Sequence, residues 1–294
     1  MSTDFFSSLV QRYDELKLAL LHAQTFNPQH FGFPPVYYEI MESDQQRVGA
    51  YARAFAQLAF SGKVICEAGV GRLALTELYL PYVKKAYLIE TNPQLFPYIE
   101  ATVAKKGWSD KVELLFTDAR EVQLPEPVDF VIGEMMSIFC ANEFQVQVFK
   151  HLRQYLNTKG QLIPGKIINL AQLARVDFPE GVDHYPINFA RHWPELLSSE
   201  VAVNTIDLYT AEDEIVQFRT PVAALLSGEV NALLLRSYVE LLPGVNFTGT
   251  DSLMPPTVIR LARPKSVTAG HSYLLEGRFQ YGTSLNEAVM ELIE

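Results

Sequence analysis

Two glutamates stand out in this 294-residue chain as groups able to do chemistry. Glu134 directly follows a β-rich run, VDFVIG, and Glu143 comes nine residues later in GEMMSIFCANEF. Two carboxylates in one loop repel each other unless a cation lies between them. A guanidinium satisfies both through bidentate, charge-assisted hydrogen bonds. Two solvated surface acids would show the same spacing, so the pair needs support from the rest of the chain. Met135 and Met136 read either as an apolar wall beside Glu134 or as core filler.

Three further motifs read as a nucleotide-like site. In VICEAGVGR, Gly69 and Gly71 flank Val70 just after a β-rich run. Glycines let the backbone turn sharply and approach a ligand closely. No third glycine completes a dinucleotide fingerprint. Glu67, two residues before Gly69, suits a cationic or amine-bearing cofactor better than a pyrophosphate; a plain strand-to-helix turn is the bland alternative. Glu90 ends KAYLIE, and its two oxygens can accept both hydroxyls of a ribose. That feature is common to nicotinamide and S-adenosylmethionine folds. In FTDAR, Asp118 can accept from an adenine amino group while the next backbone N–H donates to the ring, and Ala119 leaves room. Asp after a strand is also ordinary turn chemistry.

The elements that must position these residues alternate in type. The β-rich runs KVICEA (63–68), KAYLIE (85–90), VELLF (112–116), VDFVIG (128–133) and QLIPGKIINL (161–170) are separated by helical patterns at 72–82, 94–107 and 142–156. Such alternation predicts an α/β fold with a doubly wound, mostly parallel Rossmann-like sheet. Ligands of such sheets sit beyond the carboxyl ends of the strands, where every motif above falls. Residues 1–60 read as a helical segment, with apolar spacing over Leu9–Ala23 and Asp44–Phe60. The proline-bearing HFGFPPVYYEIM (30–41) between them reads as an irregular connector or lid. From residue 166 successive strands separated by Pro, Gly and Asp turns predict a β-barrel or sandwich. The expected division is 1–60, 61–165 and 166–294.

Composition narrows the partners. With 24 Lys and Arg against 34 Asp and Glu, the net charge is −10. This argues against nucleic acid as the main partner and suits a cationic substrate. Cys66 and Cys140 exclude a disulfide framework and a multi-cysteine zinc site, so no metal is expected and a reducing compartment is the simplest setting. No run of 18 apolar residues predicts a membrane span. The N-terminus lacks the basic region of a signal peptide, so a cytoplasmic protein is expected and the sequon at Asn246 is read as chance.

On these motifs the chain resembles the protein arginine methyltransferases, class I S-adenosylmethionine-dependent methyltransferases, from about residue 37 onward. GEMMSIFCANE is similar to the family's double-glutamate loop, E-W-M-G-Y and then a second E. CEAGVG and Glu90 correspond to its cofactor motifs, KGQLIPGK to its G-x-L-I-P stretch before the barrel, and MESDQQR to its M-L-K-D-x-x-R. The resemblance implies a methyltransferase using S-adenosylmethionine. Met41 would pack near the sulfonium and Arg47 would pair with the methionyl carboxylate. Glu67, Gly69, Gly71, Glu90, Asp118 and Ala119 would line the cofactor. Glu134 and Glu143 would hold a nitrogen nucleophile, a guanidine or amine of a protein or a small molecule. A possible homodimer would form through residues 180–200, with Tyr185, Phe189, Trp193 and Leu196.

The chain departs from the family at three places. TFNPQHF (25–31) lacks the tyrosines of the family's N-terminal stretch, and Met135 replaces a tryptophan. No Thr-His-Trp loop is found in DSLMPPTVIR (251–260), and His192-Trp193 precedes the main barrel strands. These gaps tilt the expected acceptor toward a small or non-standard molecule. A non-catalytic cofactor-binding partner subunit and a methyltransferase acting on an oxygen of a small metabolite are the alternatives. A nicotinamide-dependent reductase is disfavoured by the missing glycine and by Glu67.

Overall fold

Short, nearly all-apolar strands build the first half of the chain, as expected of a parallel sheet covered on both faces. The computed structural model describes residues 35–187, 193–212, 214–250 and 254–294. The expected Leu9–Ala23 helix, TFNPQHF, Phe189 and His192 lie outside the described residues. Strands β1 (Val64–Ala68), β2 (Lys85–Glu90), β3 (Val112–Phe116), β4 (Val128–Gly133) and β5 (Leu156–Ile163) form one sheet in the order β3-β2-β1-β4-β5. All its pairings are parallel. Strand order reverses at β1, which opens a crevice beyond the carboxyl ends of β1 and β4.

The helices are shorter than their sequence patterns. Before the sheet come α1 (Pro35–Ser43) and α2 (Gln45–Phe55). The expected irregular connector is therefore helical from residue 35, because proline is tolerated at the first position of a helix. Asp44 starts α2 by accepting from the Arg47 N–H at 3.2 Å, a conventional N-cap. Between strands lie α3 (Thr76–Tyr79), α4 (Phe96–Lys105) and α5 (Gln145–Leu152). Tyr51, Phe55, Phe60, Tyr79 and Phe130 form an aromatic cluster that seats α2 on the sheet. Tyr51 also meets Phe247 of the second half, with ring centroids 6.1 Å apart.

The run QLIPGKIINL, expected as one strand, is two. It ends β5 at Ile163 and resumes as β6 (Lys166–Arg175) after Pro164 and Gly165, since proline has no N–H to give a ladder. From β6 onward the pairing is antiparallel. The remaining strands are β7 (His184–Pro186), β8 (Glu195–Leu196), β9 (Val201–Asp207), β10 (Ile215–Ala223), β11 (Gly228–Leu242), β12 (Val245–Thr248), β13 (Thr257–Val267), β14 (Ser272–Gln280) and β15 (Val289–Ile293). One sheet runs β7-β13-β11-β6-β8, with β9 on β6 and β12 on β11; the other runs β10-β14-β15. Contacts of β9 with β10 and of β13 with β15 close the two into a barrel-like domain. Part of the 180–200 stretch is absorbed into this domain as β7 and β8. No helix among the described residues is long and apolar enough to cross a membrane.

Candidate active site

One cavity of about 250 Å³ opens at the carboxyl ends of β1, β2 and β4. All ten residues singled out in the sequence line it: Met41, Arg47, Glu67, Gly69, Gly71, Glu90, Asp118, Ala119, Glu134 and Glu143. They come from six separate stretches of chain, and the parallel sheet brings their loops to one edge.

The floor is the turn after β1. The N–H groups of Gly69 and Val70 donate to the Ile89 carbonyl at 2.9 and 3.2 Å, tying the turn to β2. Gly69 has φ +70°, and a Cβ there would lie 2.9 Å from Cγ of Met135. Gly71 has φ +54°, and its missing side chain makes room for the Tyr38 ring. Both positions need glycine for conformation and for space. Glu90 is buried, and each of its oxygens is already engaged: Oε2 accepts from Gly71 N–H at 2.9 Å, and Oε1 from Thr91 and Asn92 N–H, each at 2.8 Å. A carboxylate has about four acceptor sites, so with three taken one remains for a ribose hydroxyl. Burial pushes its carboxyl up, against the pull of those backbone bonds.

Two predicted residues are occupied in ways the sequence did not indicate. One oxygen of Glu67 turns toward α3, accepting from Thr76 Oγ1 at 2.7 Å and Tyr79 OH at 2.6 Å. Burial raises its carboxyl to about 7. Asp118 is gripped by Arg120, whose Nε and Nη2 reach both carboxylate oxygens. That bond holds Asp118 below the usual carboxylate range. The Arg120 guanidinium in turn lies 3.9 Å from the centre of the Phe144 ring. The sequence reading missed Arg120, Phe144, Tyr38 and Asn92 as wall residues. Arg120 had a signal, standing two places after Asp118 in FTDAR. The Asn92 Nδ2–Tyr38 hydroxyl bond, at 3.1 Å, joins residues 54 apart and had none.

The acidic end combines burial with unmet bonding. Arg47 reaches from α2 to donate to Glu134 Oε2 and to the Met41 carbonyl. Glu134 Oε1 and Arg47 Nε are buried without hydrogen-bond partners. Burial raises the Glu134 carboxyl despite the guanidinium beside it. No hydrogen bond to the Glu143 carboxyl forms among the described residues. Burial first, then the charge of Glu134, pushes Glu143 up to about 8, with Arg47 opposing. A donor cation entering here would meet one orphaned oxygen and one unpaired carboxyl.

The loop between these glutamates is strained. Among the described residues, the non-glycine positions at positive φ are Leu73, in the β1 turn, and Phe139, Cys140 and Asn142, in the glutamate loop. Left-handed backbone costs roughly 1–2 kcal/mol per non-glycine residue, and such strain gathers at functional sites. No group of three or more His, Cys, Asp or Glu among the described residues is placed to hold a metal ion.

The chemistry of these donors fits the S-adenosylmethionine that the motifs imply. Glu90 has an acceptor site left for a ribose hydroxyl, the glycine turn lets a nucleoside approach, and the acidic end tolerates a sulfonium.

Comparison with known proteins agrees in sequence and in fold. Residues 20–163 match the family model described as PRMT5 arginine-N-methyltransferase. The histone-arginine methyltransferase CARMER of Drosophila ananassae is 26% identical over 139 residues, covering 46% of this chain and 26% of that protein. Its Drosophila willistoni counterpart is 27% identical over the same shares. The chain thus spans about a quarter of the length of the curated relatives it matches. Among solved structures, the Trypanosoma brucei PRMT1 enzyme-prozyme complex with AdoHcy superposes with TM-score 0.69 at 16% identity, covering 87% of this chain and 98% of that one. Arabidopsis thaliana protein arginine methyltransferase 10 gives TM-score 0.69 at 14% identity, covering 87% and 96%. At those identities the likeness is one of fold. In its motifs and its family match the chain is similar to the protein arginine methyltransferases, and it shares the fold of the solved ones.

Proposed function

We propose that the protein is an S-adenosylmethionine-dependent methyltransferase that methylates a nitrogen nucleophile held between Glu134 and Glu143. The observation that carries this reading is an orphaned Glu134 oxygen beside a Glu143 carboxyl that takes no hydrogen bond among the described residues, in the cavity that Glu90 and the glycine turn also line.

The cofactor supplies a methyl carbon activated by the adjacent sulfonium. The chain's own task is to orient the acceptor and manage its proton. Glu90 and the Gly69–Gly71 turn hold the nucleoside end, and Arg47 and Met41 lie on the side from which α2 closes the cavity. Glu134, already neutralised on one oxygen by Arg47, offers its free oxygen to the acceptor. Glu143 offers the second carboxylate. Together they concentrate a guanidinium's positive charge on the nitrogens they hold, leaving the remaining nitrogen the better nucleophile. Orientation of this kind can supply up to about 7–11 kcal/mol. As the new N–C bond forms, that nitrogen sheds one proton, and Glu143 is the carboxyl with the proton affinity to collect it.

A guanidine fits the acidic end better than a hydroxyl, which would leave one carboxylate uncompensated. We further propose a cytoplasmic setting, with Cys66 and Cys140 free and buried, and a homodimer contact around Trp193, which is 63% exposed. The deciding experiment incubates the protein with isotope-labelled S-adenosylmethionine and either cell extract or a metabolite pool, read by mass spectrometry. Label on protein arginine or on a small guanidine or amine supports the reading. Tight cofactor binding by calorimetry with no label transferred in either pool would instead favour a catalytically silent partner subunit.

A further inference from the structure

The loop carrying Glu143 is held from the barrel domain at three successive points. Phe139 N–H donates to Ser237 Oγ of β11 at 2.9 Å. Gly282 N–H donates to the Cys140 carbonyl at 2.8 Å, and Asn142 N–H donates to the Thr283 carbonyl at 2.9 Å. The three residues so held, Phe139, Cys140 and Asn142, are those in left-handed backbone. Gly282 itself has φ +74°, and a Cβ there would come within 2.8 Å of the Phe144 ring. The turn is therefore pressed against the residue next to Glu143.

Behind these contacts runs a buried polar circuit. Ser237 Oγ donates to Asn169 Oδ1 of β6 at 2.8 Å, and Asn169 Nδ2 donates to Asn204 Oδ1 of β9 at 3.1 Å. Tyr281 OH donates to the same Asn204 oxygen at 2.9 Å. Tyr281 immediately precedes the turn that grips the loop, so the circuit starts at Phe139 and returns to Cys140 and Asn142. Ser237 and Asn169 are fully buried. Buried polar groups of this kind are costly unless every partner is met, and when met they impose one geometry. A plain barrel core would place apolar side chains at 169 and 237. Here both are spent on one backbone N–H of the glutamate loop.

We infer that Ser237, backed by Asn169, is a positioning residue for the Glu143 carboxylate, with Gly282 gripping the same loop from the other side. The barrel sets the strained loop conformation in which Glu143 faces the cavity. The kinetic part of this inference rests on the methyl-transfer reading; the mechanical part does not.

The test uses the full-length protein with Ser237→Ala and, as an independent route to the same loop, Gly282→Ala. Val222→Ala, a buried position at the far end of β10, paired with Tyr273, controls for loss of barrel stability. Hydrogen exchange of the 139–142 amides and methyl-transfer kinetics are measured together. Each loop variant should speed exchange about tenfold or more, as losing a buried hydrogen bond implies. Each should lower kcat by about tenfold, with the cofactor Kd within about twofold of wild type. Val222→Ala should change neither. Folded variants with exchange and kcat both unchanged would overturn the inference, as would a loss confined to KM with unchanged exchange. Faster loop exchange alongside a wild-type protein that transfers no methyl group would uphold the brace and sink the methyl-transfer reading alone.

Discussion

Arg47 pairs with only one oxygen of Glu134, and the second oxygen stays buried without a partner. Arg47 comes from α2 and Glu134 from the end of β4, so a helix outside the sheet neutralises the first glutamate from one side. Glu143, with no hydrogen bond among the described residues, has its carboxyl raised to about 8. The two acids are thus chemically unequal. One holds a cation with a partly compensated charge, and the other is poised to exchange a proton.

Replacing Glu143 by glutamine removes the charge and the proton acceptor while keeping size and hydrogen-bonding shape. Turnover is expected to fall about 10²–10³-fold, the usual loss on removing one preorganised electrostatic group. Cofactor affinity should hardly change, because on the proposed reading Glu90 and the glycine turn hold the other end. Single-turnover transfer and calorimetry on the same preparation check both halves. Full activity in this variant would reject the assignment.

Glu143 must be ionised to hold a cation, and burial with the neighbouring Glu134 charge raises its carboxyl to about 8. The ratio kcat/KM, which reports free-enzyme groups, should therefore fall about tenfold per pH unit below about 8. Binding of a cationic acceptor lowers that pKa, so binding at pH 7 should release a proton. Calorimetry in buffers of different ionisation enthalpy measures the release; a kcat/KM flat between pH 6 and 8 would contradict it.

Glu67 offers a stability test independent of activity. Its folded carboxyl sits near 7, raised by burial, against about 4.3 in an unfolded chain. Between those values the native state keeps a proton that the unfolded chain has lost, so this group's contribution to stability falls as pH rises from about 4.3 to about 7. Glutamine still accepts from Thr76 and Tyr79 and cannot ionise. The Tm of Glu67→Gln relative to wild type should climb across that window and level off above it. A difference independent of pH would mean that Glu67 is not protonated when folded.

Gly69→Ala should be harmful on two counts, left-handed backbone and a Cβ 2.9 Å from Met135 Cγ. The conformational part costs roughly 1–2 kcal/mol, and the clash pushes on the residue next to Glu134. Pairing it with Met135→Ala should recover only the steric part. Thermal melts and cofactor titrations of the single and double variants separate the two, and full recovery would show that conformation costs nothing there.

Much of the site was legible in the sequence because it depends on local rules. Apolar runs of five or six residues, each ending in a glycine turn or an acid, marked β1, β2 and β4 and placed Gly69, Glu90 and Glu134 at one sheet edge. QLIPGKIINL reads as one run because the apolar residues flanking Pro164 hide that it separates two strands of different sheets. The helix beginning at Pro35 was missed because proline was weighed as a stop, when at a first position it serves as a start.

The amino-acid sequence by itself determined which residue types stand at the strand ends, and with them the chemistry on offer: an acid for a diol, glycines for close approach, paired carboxylates for a cation. Only the tertiary structure decided how those groups are spent. Arg47 meets Glu134 across 87 residues, Phe139 meets Ser237 across 98, and Ser237 meets Asn169 across 68. Hydrophobic periodicity specifies which face of an element is buried. A buried hydrogen bond between distant elements depends instead on angle and distance within a few tenths of an ångström, and those are set only when the elements pack together.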